Sequence, residues 1–215
     1  MTIDERIKYF NPLEDVEKHT TVLPHWEQPG ATYFVTFRLA DSLPRRQLDD
    51  WKRERDAWIE VHPRPWADEI EREYHERFSA TIERWLDVGH GSCALRNTIF
   101  AHIVGDALNH FEGSRCVQHA WVVMPNHVHA LFTLLNGHHL HDLLHSWKSY
   151  TASRIHAITG EQGALWQRDY FDRLIRDPSH FNNCVRYIRK NPTKAHLKPG
   201  EGVLFESTAC RERVT

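Results

Sequence analysis

Two histidines spaced two positions apart, His127 and His129, are the side chains best suited to chemistry in this chain. The apolar residues around them are typical of a β-strand, so both imidazoles should point to one face, about 7 Å apart along the chain, while Val128 points to the other. Two ring nitrogens placed in this way can share one divalent metal ion. In a chain with 17 histidines the spacing His-x-His can arise by chance. Two solvated histidines on a polar strand face therefore remain an alternative.

A tyrosine and an amide four residues apart, Tyr187 and Asn191, form the second candidate group. Positions i and i+4 share a face of a helix, so both side chains should face one point. A tyrosine, with an ordinary pKa of about 10, attacks phosphorus only where the electrophile is polarised, and it then forms a covalent phosphotyrosine. A core or interface aromatic is the alternative, and the rival tyrosines are Tyr33, Tyr150 and Tyr170.

The surrounding sequence alternates between strand and helix patterns. Period-two alternation of apolar residues predicts a strand over 31–40, and two apolar runs on either side of Pro125-Asn126 predict a hairpin of adjacent strands. A fourth alternating segment, predicted as a strand, covers 164–176. Helical spacing predicts helices over 93–111, 138–158 and 177–191.

This order of elements, with a charge-rich helical insertion over about 45–90, predicts an α+β fold in which helices cover one face of a mainly antiparallel sheet. At 215 residues we expect a single domain with its core over about 31–197 and a loosely ordered tail after about 198. No segment has the apolar length of a membrane span or of a secretion signal, so a cytoplasmic protein without a membrane partner is expected. The four scattered cysteines are typical of free thiols.

Charge is segregated along the chain although the formal net charge is only -2. Residues 41–90 hold 9 basic and 13 acidic side chains, whereas residues 145–200 hold 10 basic and 4 acidic ones. A basic segment of this kind suits a surface that follows a phosphate backbone. A solvated helix face explains the same pattern equally well.

Longer motifs make the interpretation specific. The segment WVVMPNHVHALF at 121–132 resembles the signature of the HUH single-tyrosine transposases, in which a hydrophobic strand, Met-Pro-Asn and His-hydrophobic-His follow one another. Three further segments resemble, in order and spacing, the REP-associated tyrosine transposases: WKSYTASRI at 147–155, LWQRDYFDRLIRD at 165–177 and YIRKNPTKAHL at 187–197. The insertion at 45–90 matches no motif of that family.

The resemblance implies a ferredoxin-like sheet, the HUH endonuclease fold, with the histidines on a central strand and the tyrosine on a C-terminal helix. It implies that His127 and His129 bind Mg²⁺ or Mn²⁺, that Asn191 completes or supports the metal shell, and that Tyr187 is the nucleophile. Relatives often carry Gln at the position of Asn191.

The reaction implied is cleavage and rejoining of single-stranded DNA beside palindromic hairpins through a 5′-phosphotyrosine intermediate, by a monomer or a homodimer. Basic residues of the second half are the candidate contacts to the DNA backbone: Lys148, Arg154, Arg186, Arg189 and Lys190.

Two other classes of protein share parts of this pattern. Zinc amidohydrolases also carry His-x-His on a strand, but their barrel needs about 250 residues and further ligands. The second alternative is a domesticated hairpin-binding protein that no longer cuts DNA. The intact histidine pair and Tyr-x-x-x-Asn argue against it, because a pure binder has no physical need of them.

Overall fold

The computed structural model describes residues 6–20, 24–63 and 66–214 of the chain. Its strands are β1 (Glu17–Thr20), β2 (Pro24–Glu27), β3 (Thr32–Arg38), β4 (Cys116–Val123), β5 (His127–Leu134), β6 (Phe171–Leu174) and β7 (Val203–Glu206). Its helices are α1 (Arg45–Val61), α2 (Asp68–Tyr74), α3 (Ala80–Asp87), α4 (Thr98–His110), α5 (Leu140–Thr159), α6 (Pro178–Lys194) and α7 (Thr208–Arg213). A π-helical turn, His75–Ser79, joins α2 to α3.

The main sheet has the strand order β6-β3-β5-β4-β7, and its pairings are antiparallel. Along the chain, β3, α4, β4, β5, α5 and β6 form a βαββαβ unit, which is the ferredoxin-like arrangement. The predicted α+β class is therefore confirmed. The central position of β5 follows from its composition, since every one of its residues is buried.

Helices cover both faces of this sheet. The two helices inside the unit, α4 and α5, pack on the face formed by Val35, Val128 and Ala130, as the sequence predicted. The expectation of helices on one face is wrong for α6, which packs on the opposite face against Phe34 and Leu131. The physical reason is that the second face also carries large apolar side chains, such as Phe34, Val122 and Leu131, which would lie in water if that face were open.

Helices α1, α2 and α3 make up the predicted insertion, apart from residues 64 and 65, which lie outside the described part. They surround an apolar cluster of their own that includes Trp51, Trp58 and Phe78. Trp51 also meets Phe171 of β6 edge to face, with ring centroids 5.9 Å apart. The insertion thus packs against the edge of the sheet that β6 forms.

Two expectations about the C-terminal half need correction. The segment after Lys198, expected to be loosely ordered, forms β7 and α7, because Phe205 stacks on Trp121 and the Ser207 side chain accepts a hydrogen bond from the Cys210 backbone N–H. The fourth strand, expected over 164–176, is regular only as β6. Before β6, a single bridge between Leu39 and Trp166 continues the pairing with the β3 segment.

The four cysteines Cys93, Cys116, Cys184 and Cys210 are buried free thiols, as the sequence predicted. None of the helices in the described ranges is both long enough and apolar enough to cross a bilayer.

Candidate active site

The histidine pair lies at the start of the central strand, immediately after a tight turn. Pro125 and Asn126 form this turn, and it is closed by the Met124 N–H donating to the His127 carbonyl at 2.8 Å. Proline presets the first turn position and asparagine tolerates the second, so the sequence itself favours the turn. Both imidazoles then point to the face covered by α6, and both are almost fully buried.

The two rings meet at their Nε2 atoms, which lie 3.0 Å apart. This is the separation of two adjacent ligands of an octahedral ion whose bonds are about 2.1 Å long, a geometry that Mg²⁺ demands. Burial, with a smaller contribution from Lys194, lowers the pKa of His127 to about 3. Burial and the neighbouring His127 also hold the pKa of His129 well below 6.5. Both imidazoles are therefore neutral, as metal ligands must be.

The side chain of Asn126 fixes the tautomer of His127. Its Nδ2 group donates to the backbone carbonyls of Leu86 and His90, at 3.3 and 3.2 Å, so its Oδ1 atom is left as the acceptor. That oxygen lies 2.8 Å from His127 Nδ1, which must then carry the proton. The Nε2 atom of His127 is left with a free lone pair pointing at His129.

His129 is oriented by a hydroxyl instead. Its Nδ1 atom lies 2.7 Å from the Oγ1 atom of Thr36 on the neighbouring strand. A hydroxyl can donate or accept, so Thr36 supports either tautomer of this ring. His129 can consequently carry its proton on Nε2, shared with His127, or move it to Nδ1 and free Nε2 for a ligand.

Tyr187 reaches this pair from α6. The helix begins at Asp177, whose side chain accepts a hydrogen bond from the His180 N–H, and at Pro178, and it buries Phe181, Val185 and Ile188 against the sheet. The Tyr187 hydroxyl lies 3.4 Å from His129 Nε2. Burial raises the pKa of Tyr187 above its ordinary value, and the carboxylates of Glu83 and Asp87 raise it further. The hydroxyl is thus a neutral phenol.

Asn191 lies one turn further along the same helix face and is 1% exposed. By distance and angle neither its Oδ1 nor its Nδ2 atom completes a hydrogen bond, although its contact with the Tyr187 hydroxyl partly offsets the rise in the pKa of that tyrosine. A buried amide without complete hydrogen bonds costs free energy, which a bound ion or substrate atom would recover. Within residues 6–20, 24–63 and 66–214, no three His, Cys, Asp or Glu side chains are grouped as a metal site. A third protein ligand among the described residues would then be of another type, and the buried Asn191 amide, on the helix face of Tyr187, is the candidate.

The rival tyrosines lie elsewhere. Tyr33 is in the core on the opposite face of the sheet, where its hydroxyl donates to the Gln28 carbonyl at 3.1 Å. Tyr170 belongs to that same core. Tyr150 is 53% exposed on α5. Of the four candidates, only Tyr187 shares the face of the histidine pair.

The five basic residues selected from the sequence divide into two groups. Arg154, Arg186 and Lys190 are exposed on α5 and α6. Lys148 donates to the Arg168 carbonyl at 2.8 Å, and burial lowers its pKa to about 8. Arg189 is held by two hydrogen bonds to Glu206, at 2.8 and 3.0 Å, which attach α6 to β7.

Sequence reasoning missed the residues that support the site. Asn126 was available as part of the Met-Pro-Asn motif, but its role depends on carbonyls that come from the end of the insertion. Thr36 is opposite His129 only through the pairing of β3 with β5. Arg173 and Lys194, which flank Tyr187 and His129, are ordinary basic residues in the sequence.

Part of the chain is similar in sequence to known transposases. Residues 100–191, from within α4 to Asn191 of α6, match the family model described as "Transposase IS200 like". A REP-associated tyrosine transposase of Escherichia coli (strain K12) is 32% identical over 75 residues, which is 35% of this chain and 43% of that protein. The chain thus matches less than half the length of this relative.

A solved structure of a REP-associated tyrosine transposase bound to a REP hairpin is also similar. It has a TM-score of 0.45 and 18% sequence identity, over 81% of this chain and 74% of that chain.

Proposed function

We propose that the chain is an IS200-like transposase that cleaves and rejoins single-stranded DNA beside palindromic hairpins, with Tyr187 as the nucleophile. The match of residues 100–191 to the family model and the partial identity to a REP-associated tyrosine transposase support this proposal. The main support for this proposal is one contact. The Tyr187 hydroxyl lies 3.4 Å from the His129 ring, although the two residues are 58 positions apart in sequence. A core aromatic would not need to bring its hydroxyl to a pair of neutral imidazoles.

In this proposal His127, His129 and Asn191 hold Mg²⁺ or Mn²⁺. When bound, the ion would offset negative charge on the scissile phosphate. Asn126 and Thr36 keep the two imidazoles oriented with their Nε2 atoms facing each other. Burial of the histidines and of Asn191 keeps water away from the same point.

Tyr187 supplies the covalent step. Its phenol oxygen forms a bond to phosphorus while the bond from phosphorus to the 3′ oxygen breaks, and the phenol loses its proton while the departing 3′ oxygen gains one. The product is a 5′-phosphotyrosine and a free 3′-hydroxyl. Attack by another 3′-hydroxyl on the adduct restores the phenol and rejoins the strand, so no energy source is consumed.

The substrate class follows from access. The Tyr187 ring packs edge to face on Phe34 and His129, with the carboxylates of Glu83 and Asp87 nearby, so a phosphate must approach a partly covered hydroxyl. A flexible single strand can do this more readily than a rigid duplex. The exposed Arg154, Arg186 and Lys190 would bind the backbone, so affinity should fall as salt rises. Tyr187 faces the histidines of its own chain, and this arrangement would allow a monomer to cut; a homodimer is equally compatible with it.

The test is to incubate the purified protein with hairpin-bearing single-stranded DNA from the flanks of its own gene, with Mn²⁺ or with excess chelator. A protein-DNA adduct that survives a denaturing gel and depends on Mn²⁺ is expected. Replacement of His127 or His129 by Ala should abolish the adduct and leave binding largely intact, because backbone affinity comes from the basic helices.

Binding without any adduct, under all metal conditions, would favour the non-catalytic hairpin binder. Equal cleavage of blunt duplex and single-stranded DNA would contradict the substrate class.

A further inference from the structure

Two ion pairs join the helical insertion to the candidate active site. Glu83 of α3 binds Arg173 of β6, with 2.8 Å between Oε1 and Nη2. Asp87, one turn further along α3, binds Lys194 at the end of α6, with 2.7 Å between Oδ2 and Nζ. The acidic partners are the more buried ones, with side chains 19% and 14% exposed, so α3 presents its carboxylates toward the site rather than toward bulk water.

The two cations flank the proposed reaction point. The Arg173 guanidinium carbon lies 5.7 Å from the ring centre of Phe34, and Phe34 in turn stacks on His129 and meets Tyr187 edge to face. The Lys194 ammonium lies 5.8 Å from the ring centre of Tyr187. Both cations also act electrostatically on His129, so a phosphate bound beside His129 and Tyr187 would lie near both of them.

The two ion pairs leave part of the hydrogen-bonding capacity of their side chains unused. Asp87 uses one oxygen for Lys194, while its Oδ1 atom is buried without a hydrogen-bond partner. Arg173 meets Glu83 through one nitrogen, although a guanidinium can bind a phosphate through two. An incoming phosphate would thus offer these cations as much charge and better geometry, and the ion pairs are exchangeable rather than permanent.

We propose that Arg173 and Lys194 bind the phosphates that flank the scissile bond, and that Glu83 and Asp87 form an acidic latch that holds these two cations until single-stranded DNA displaces it. The proposal rests on the proposed function for the identity of the ligand. It assigns a role to the insertion at 45–90, which would restrict the site to strands able to compete for both cations. Nonspecific anions at low concentration would leave the latch closed.

The test measures binding alone, in excess chelator, with a fluorescein-labelled single-stranded oligonucleotide carrying a hairpin. Glu83→Gln and Asp87→Asn keep side-chain shape and remove charge, so each should tighten binding, and the two together by roughly 2- to 30-fold, the range expected from releasing two weak ion pairs. Glu54→Gln is the matched control, because Glu54 pairs with Arg77 in the same insertion at an exposed position. It should leave affinity unchanged.

Double variants separate a latch from simple repulsion of DNA by negative charge. Glu83→Gln should give no gain in a protein that already carries Arg173→Ala, and Asp87→Asn no gain beside Lys194→Ala. Each Ala variant alone should weaken binding and lower the slope of log affinity against log salt by about 0.7, the value for one contact to a single strand. Equal gains with and without the partner cation would overturn the proposal, and so would gains no larger than that of the Glu54→Gln control.

Failure of the proposed function is read separately, from the covalent adduct in Mn²⁺. Latch variants that bind more tightly while no protein forms an adduct would refute catalysis and retain the latch. An adduct formed by a wild-type protein whose affinity is insensitive to Glu83 and Asp87 would refute the latch and retain catalysis. Absence of single-strand binding by every variant would refute both.

Discussion

Replacing Asn126 by Ala should weaken metal binding without touching a proposed ligand. The Asn126 amide is fully buried, and its oxygen lies 2.8 Å from His127 Nδ1. Without it, nothing keeps the proton on Nδ1, and the tautomer with the proton on Nε2 has no lone pair for the ion. Losing such a contact typically costs 10- to 100-fold in metal affinity, or roughly 1.4 to 2.8 kcal/mol.

Asn126→Asp separates this effect from general destabilisation. A carboxylate still accepts the Nδ1 proton of His127, so metal affinity should be largely kept. It cannot donate to the Leu86 and His90 carbonyls, however, and it places a charge against them, so the melting temperature should fall. The Ala variant should therefore lose more metal affinity than the Asp variant. In the Asp variant the main effect should be the lower melting temperature.

Electron paramagnetic resonance of free Mn²⁺ in a titration reports binding directly, with no need for activity, and circular dichroism reports melting. Wild-type Mn²⁺ affinity in Asn126→Ala would refute the tautomer argument. Equal loss of affinity in the Ala and Asp variants would refute it too, since it would mean that the turn as a whole, and not its acceptor oxygen, matters.

Two further predictions concern stability. Gly105→Ala should lower the melting temperature, because the added Cβ would lie 2.7 Å from the Trp121 ring, and overpacking of about 1–3 kcal/mol outweighs a helix-propensity gain of at most about 1 kcal/mol; an unchanged or higher melting temperature would contradict this packing. Burial lowers the pKa of His119 to about 3, from an ordinary 6.5, so the unfolded chain binds more protons below pH 6.5 and the stability from this neutral histidine is lost as pH falls toward 3. His119→Gln should therefore flatten the acid-side fall in the free energy of unfolding by about 1.4 kcal/mol per pH unit in urea titrations, and an equally steep fall in both proteins would count against it.

The sequence predicted the sheet well where local pattern and burial agree. The strands β3, β4 and β5 follow from apolar runs and from the Pro125-Asn126 turn, and His-x-His on a strand fixes the direction of both imidazoles. The same holds for α6, whose start at Asp177-Pro178 has a clear capping signal. These features depend on neighbours in sequence.

The features that were missed depend on contacts between distant segments. The position of α6 on the second face is decided by which apolar surface α4 and α5 leave open, and β7 is a strand only because the edge of β4 is available to it. From the sequence alone, Glu83 and Asp87 are expected to be solvated charges on a helix, whereas the fold brings them close to Tyr187. No local pattern marks such residues, because their partners lie on β6 and α6.

The central claim, covalent attack by Tyr187, is tested most directly by removing one oxygen. Tyr187→Phe keeps the ring and its packing on Phe34 and His129, so the fold and DNA binding should persist while the Mn²⁺-dependent adduct disappears; Tyr150→Phe, on the exposed face of α5, should form the adduct normally. Mass spectrometry of the wild-type adduct should place the nucleotide on the peptide that contains Tyr187. An adduct that persists in Tyr187→Phe, or that maps to another tyrosine, would contradict the account.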